Sequence, residues 1–205
     1  MRRPRFRKLI AYLAGGVLAV LSVPLGYYLY AGIWRSNFHT VVPGQVYRSG
    51  KPSGNDLQSW RARYGIKDVI DLRADGITES YPDEERAARE AGMRLEYIHL
   101  TASHLPDGAT LRKLIGMIET APRPLLLHCE GGADRAGLAS FLAAMAIGGQ
   151  DYAHAEKQLS ARYFHLDSDI RIAGVLRKYR QYCRRNDMDT GGWQQFRHWA
   201  FNVYP

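Results

Sequence analysis

Four short apolar or β-branched runs, over 45–48, 68–72, 95–100 and 125–128, alternate with longer segments whose apolar residues recur every three or four positions. The short runs predict strands, and the longer segments predict helices over 56–64, 83–91, 110–120, 135–147 and 153–163. Two more helices are expected over 169–185 and 193–203. In the third helix Leu111, Leu114, Ile115 and Ile118 share one face, and Thr110 stands where a capping hydroxyl belongs. Gly92 and Gly148 fall where helices would stop. Strands alternating with helices predict an α/β domain, a parallel-rich mixed sheet flanked by helices, with its functional loop at a strand's carboxyl end.

The N-terminus follows a different pattern. The stretch 9–34 contains no Asp, Glu, Lys or Arg, and as a helix it would extend ~39 Å against ~30 Å of bilayer hydrocarbon. Tyr27, Tyr28, Tyr30 and Trp34 cluster at its far end, where an interfacial aromatic belt belongs. The expected organisation is a basic segment over 1–8, one transmembrane anchor over 9–34 and a catalytic domain over 35–205. A cleaved signal peptide is the rival, but its apolar core runs only ~7–15 residues and ends at small residues. By the positive-inside rule, basic residues ahead of the anchor put the N-terminus in the cytoplasm. For a bacterial chain this predicts a single-pass inner-membrane protein with its domain in the periplasm.

Charge alters that picture little. Arg2, Arg3, Arg5, Arg7 and Lys8 supply five of the net +8, which leaves about +3 on the rest and no basic stripe with interleaved aromatics. Nucleic acid is therefore not an expected partner. A hydrophobic share of 46% with 23% charged residues describes a globular chain rather than a disordered one. The chain has two cysteines, Cys129 and Cys183. An oxidising compartment would threaten a reactive thiol, which sits in tension with a periplasmic domain.

The chemistry concentrates at Leu125-Leu-Leu-His128-Cys129-Glu130-Gly131-Gly132-Ala133-Asp134-Arg135-Ala136-Gly137. A buried strand ends at His128, a glycine-bearing loop follows, and a helix begins near Arg135. Such a loop can turn the successive N–H groups of Glu130, Gly131, Gly132, Ala133, Asp134 and Arg135 into one anion-binding concavity. Cys129 lies at its base, where the helix N-terminus and Arg135 favour thiolate over thiol. The Arg135 guanidinium can hold two phosphate oxygens as a fork. The alternative is a buried structural cysteine before a glycine turn.

His-Cys-x5-Arg between strand and helix resembles the signature loop of cysteine-dependent protein tyrosine and dual-specificity phosphatases. Val42-Pro-Gly-Gln-Val-Tyr47-Arg48-Ser49-Gly50-Lys-Pro52 looks like the opening strand and turn of the compact atypical dual-specificity group, and Val69-Ile-Asp71-Leu-Arg73 like its second core strand. The resemblance spans about residues 40 to 180. It implies a phosphotyrosine phosphatase-like fold and hydrolysis of phosphate monoesters through a phosphocysteine intermediate, with no metal or cofactor.

Attack on phosphorus requires an acid to protonate the leaving oxygen. Asp107, in a polar turn 22 residues before Cys129, is the first candidate. Asp134 inside the loop is the second, and an acid there resembles phosphatases that act on phosphoinositides. Asp75 is a distant third. Each has a plainer reading, Asp107 as a turn or helix-entry residue and Asp134 as a carboxylate that structures the loop. His128 is expected to orient the loop rather than transfer a proton. Arg48 and Arg73 either reach the site mouth or bridge neighbouring strands, and bridging is favoured. Cys183, in a basic helix, reads as an incidental thiol.

One departure from the family pattern stands out. Ser or Thr usually follows the signature arginine and assists turnover of phosphocysteine, but this chain has Ala136. Three functions compete: a protein tyrosine or dual-specificity phosphatase, the same chemistry on lipid or sugar phosphates, and a weakly catalytic phospho-ligand-binding module. The expected partners are a phosphorylated protein or phospholipid, and the membrane through the N-terminal helix.

Overall fold

The computed structural model describes residues 36–73, 81–101, 103–166, 172 and 174–205, with isolated positions between 12 and 30. The chain separates into two units, Met1–Arg35 and Ser36–Pro205, and the sheet lies in the second. Among the described residues it has strands β1 (His39–Val42), β2 (Val46–Ser49), β3 (Asp68–Asp71), β4 (Arg94–Tyr97) and β5 (Leu125–His128). Their order is β1-β2-β5-β3-β4. The β1/β2 pairing is antiparallel, while β2/β5, β3/β5 and β3/β4 are parallel. The carboxyl ends of β2, β3, β4 and β5 therefore gather at one edge, where Gly50, Arg73 and Cys129 emerge.

Helices α1 (Gly54–Tyr64) and α2 (Pro82–Glu90) contribute to the core on one face of the sheet. The other face carries α3 (Gly108–Thr120), α4 (Asp134–Ala146), α6 (Gly174–Arg185) and α7 (Trp193–Asn202), with the short α5 (Tyr152–Ala155). The strands serve both cores by alternation: Leu125 and Leu127 of β5 face the larger, and Leu126 the smaller. All three are fully buried, and each contributes ~1.5–3 kcal/mol through apolar burial. This fixes β5 centrally and holds still the base on which Cys129 stands.

Three expectations need correction. The strand β1 was not expected, because its four residues, His-Thr-Val-Val, carry too little pattern, and its pairing slips between Thr40 and Val42. The helix expected over 153–163 ends after Ala155 and continues as 3₁₀ turns at Glu156–Gln158 and Ala161–Tyr163. Leu159 and Ser160 leave helical geometry between those turns, and buried Arg48 claims the Gln158 carbonyl at 2.6 Å. The helix expected over 169–185 begins at Gly174, with 167–171 outside the described residues.

A further correction concerns the anchor. Most of 9–34 lies outside the described residues, and among the described ones no helix is long and apolar enough to cross a membrane. This overturns the single-pass inner-membrane assignment and the membrane partner that rested on it. Gly15, Gly16, Ser22, Pro24, Gly26, Gly32 and four tyrosines interrupt the aliphatic residues of 9–34.

Candidate active site

Cys129 follows the last residue of β5, and the five residues up to Asp134 wind into the first turn of α4. Each loop carbonyl from 130 to 133 is held from outside. The Lys51 N–H donates to Glu130 O at 2.9 Å, and Asn37 Nδ2 donates to Gly131 O at 3.0 Å. Arg48 Nη2 donates to Gly132 O at 2.7 Å and to Ala133 O at 3.2 Å. In a planar trans peptide the N–H points opposite to the C=O. Fixing these carbonyls outward turns the N–H groups of Gly131, Gly132, Ala133 and Asp134 the other way. The helix they lead into has no side-chain cap: Ala133 occupies that position.

Two glycines permit this winding. Gly132 has φ +70°, and a Cβ there would lie 2.5 Å from the Gly50 amide nitrogen. A Cβ on Gly50 would approach Glu130 O to 3.0 Å. The β2 turn and the loop thus pack backbone against backbone, which explains the glycines after both β2 and β5.

Charged groups surround the loop unequally. Arg135, half-buried, makes one long bond to Leu100 O at 3.4 Å, and no carboxylate pairs with it among the described residues. Glu130 turns outward with its side chain 62% exposed, and Arg73 Nη1 holds it at 3.0 Å. Arg73 also donates to both Asp71 oxygens at 2.9 Å and to Glu84 Oε2 at 2.5 Å, beneath the Tyr81 ring. Burial opposes its charge, but Asp71 and then Glu84 and Glu130 outweigh that and raise its ionisation further. Arg73 therefore pairs with Asp71 at the end of β3, with α2 and with the loop, not with a neighbouring strand as favoured from the sequence.

His128 is fully buried, with Nε2 2.7 Å from Glu84 Oε1 but off the hydrogen-bond axis. Among the described residues neither ring nitrogen makes a hydrogen bond to the loop. Asp71, Glu84 and His128 offer ligand atoms within 4.8 Å of one another. A metal ion there would have to displace Arg73, which already occupies both carboxylates. The donor set is a closed ion cluster rather than an open site.

The two candidate acids stand apart. Asp134 begins α4 and meets His165 Nδ1 at 2.7 Å, the histidine side chain being 6% exposed. Asp107 is the N-cap of α3, its Oδ1 accepting the Thr110 N–H at 2.7 Å. That bond draws its carboxyl below the ordinary carboxylate range. Asp75 lies outside the described residues. Ala136 is fully buried in the larger core, and Cys183 is buried on α6. A cleft of about 280 Å³ adjoins the loop at Lys51, lined also by Pro52, Tyr81 and Pro82.

Sequence reasoning missed Asn37, Glu84 and His165, and it misassigned Arg48, which bonds loop carbonyls instead of bridging strands. A polar residue 2% exposed, as Asn37 is, signals a role only once its burial is known.

Residues 30–171 match the tyrosine phosphatase family. Inositol diphosphatase SIW14 of Saccharomyces cerevisiae is 27% identical over 107 residues, 49% of this chain and 36% of that protein, so the match spans about a third of the relative. Its core catalytic domain in complex with citrate superposes with a TM-score of 0.53 at 18% identity, covering 74% of this chain and 93% of that one. A cysteine-to-serine form of P. aeruginosa TpbA in complex with pTyr gives 0.51 at 20% identity, over 63% and 75%. A putative phosphatase from Shewanella putrefaciens CN-32 gives 0.51 at 19% identity, over 82% and 90%.

Proposed function

Since the chain belongs to the tyrosine phosphatase family, we propose that it is a phosphoric monoester hydrolase that works through a phosphocysteine at Cys129, on phosphorylated protein side chains. The observation that carries this reading is the outward pinning of four consecutive carbonyls, which leaves their amides to cradle an anion above Cys129. The Cys129 thiolate attacks phosphorus, an S–P bond forms, and the P–O bond to the leaving group breaks. Arg135, unpaired with any described carboxylate, takes two phosphoryl oxygens. Water, losing a proton to the acid now ionised, then displaces sulfur and releases inorganic phosphate.

Asp134 is the better acid of the two. An acid must hold a proton when the leaving oxygen departs, and the capping bond of Asp107 favours the opposite state. Asp134 is attached to the loop itself, and buried His165 fixes its direction.

The name of the yeast relative favours a second reading, a phosphorylated inositol as substrate. Glu130, although paired with Arg73, adds a carboxylate beside the cradle that a multiply phosphorylated ring would meet. The cleft, lined by Lys51, Asp83 and Glu84 as well as Pro52, Tyr81 and Pro82, offers an aryl ring the faces of Tyr81 and two prolines. The discriminating experiment compares kcat/KM for phosphotyrosine peptides with that for inositol pyrophosphates, on reduced protein without added metal. Faster turnover of the peptides supports the first reading, and the reverse order supports the second. Phosphate binding without turnover of either would indicate a binding module, as Ala136 allows.

A further inference from the structure

Arg48 is fully buried, and its charge is not balanced in the way that of Arg73 is. Removing a guanidinium from water is costly unless a counter-charge and hydrogen bonds compensate. Arg73 meets that cost with Asp71, Glu84 and Glu130. The bonds of Arg48 all run to neutral oxygens: Gln158 O at 2.6 Å, Gln158 Oε1 at 3.0 Å, Gly132 O and Ala133 O. Among the described residues its Nε has no hydrogen-bond partner, and its Cζ lies 4.1 Å from the Tyr163 ring centroid. Among the described residues no carboxylate pairs with it. Burial lowers its ionisation to about 10, opposed by Tyr163 and Cys129, so it remains a cation at neutral pH.

The strand explains how the charge comes to lie there. Along β2, Val46 faces the larger core and Tyr47 the smaller, so Arg48 returns to the larger-core side, which also holds Cys129. From there its fork reaches the backs of the Gly132 and Ala133 peptides. A cation is thus fixed behind the cradle while the amides face its open side.

We propose that Arg48 is a positioning residue of the phosphatase reaction, a buried cation whose counter-charge is the Cys129 thiolate in the free enzyme and the phosphoryl group once substrate is bound. This rests on the reading of Cys129 as the nucleophile. It predicts that the charge of Arg48, beyond its hydrogen bonds, holds Cys129 in its reactive form. A purely structural role, pinning the loop to the 158–163 turns, predicts instead that only the fork matters. Lysine separates the two, because it keeps the charge and loses the fork.

The experiment follows alkylation of Cys129 by iodoacetamide at pH 6.5 in the full chain, with Arg48→Met and Arg48→Lys beside wild type. Arg48→Met is expected to react about tenfold more slowly, while Arg48→Lys, which frees the Gly132 and Ala133 carbonyls and so weakens phosphate protection, keeps an alkylation rate within about threefold of wild type. Wild-type rates in a folded Arg48→Met protein would overturn the proposal, as would Arg48→Lys reacting as slowly as Arg48→Met. If Cys129 in wild type reacts no faster than a small-molecule thiol, the nucleophile reading itself fails, which is a distinguishable result. Should Arg48→Met not fold, guanidinium ¹⁵N resonances of Arg48 decide. They should follow pH in wild type and stay flat in Cys129→Ser, and the same pH response in both proteins would overturn the proposal.

Discussion

Helices α3 and α4 are each 13 residues long and pack into the same apolar core, yet they treat their first amides in opposite ways. The N-terminus of α3 is closed by its own chain, the Asp107 carboxylate accepting the Thr110 N–H. The N-terminus of α4 has alanine at the cap and no side-chain acceptor, and the four carbonyls before it are turned away by Lys51, Asn37 and Arg48. Amides at a helix start must bond something, whether cap, water or ligand. The start of α3 is satisfied by its own chain, and the start of α4, the proposed anion cradle, is left open by arrangements made elsewhere in the fold. The same contrast separates the two aspartates: one is consumed by capping, and the other stands at the open end beside His165.

The contrast can be broken from the open side first. Asp134→Asn should lower kcat ~10²–10⁴-fold with a phosphate ester whose leaving group is a poor one, and much less with para-nitrophenyl phosphate. Asp107→Asn should leave both rates near wild type. Equal losses in the two variants would transfer the acid role back to Asp107. Next in size, Arg135→Lys should cost ~10²–10³ in kcat, since a point charge cannot replace the bidentate fork. Gly132→Ala should abolish protection of Cys129 by inorganic phosphate, because its Cβ meets the backbone of Ser49 and Gly50 within 2.7 Å. Unchanged protection would show that the cradle does not depend on that winding.

On the closed side the effects are smaller and concern stability alone. Asp107→Ala should lower Tm by roughly 2–4 °C at pH 7 while turnover is retained. The carboxyl of Asp107 ionises more readily in the folded state than in the unfolded one. Its contribution is therefore present above the ordinary carboxylate range and disappears as pH falls through the depressed folded value. The Tm difference between wild type and Asp107→Ala should accordingly close in acid. A gap that persists there would mean that Asp107 stabilises α3 by something other than its charge.

What could be read from the sequence was whatever the chain concentrates locally. Cys129 to Arg135 carries the proposed nucleophile, the turn and the guanidinium in seven consecutive residues, and the alternation of strand and helix placed that loop at a sheet edge. The residues that shape the loop from outside were not legible, because each acts across a long stretch of chain. Asn37 reaches Gly131 over 94 positions, and Arg48 reaches Gln158 over 110. No local pattern marks such a pairing. The break of the helix expected over 153–163 has the same origin, since the demand of Arg48 on Gln158 lies outside that segment's own sequence. Asp107 was legible only as a residue type: a turn aspartate suits a cap and an acid equally until its bond to Thr110 is seen. The anchor expected over 9–34 is a different case: most of that stretch lies outside the described residues, among which no helix is long and apolar enough to cross a membrane.

The most direct test of the account is to quench the reduced full-length protein during turnover of a phosphotyrosine peptide and locate covalent phosphate by mass spectrometry. Phosphate on Cys129, absent from Cys129→Ser, is the predicted result. Turnover that continues in Cys129→Ser, or phosphate trapped on another residue, would contradict it.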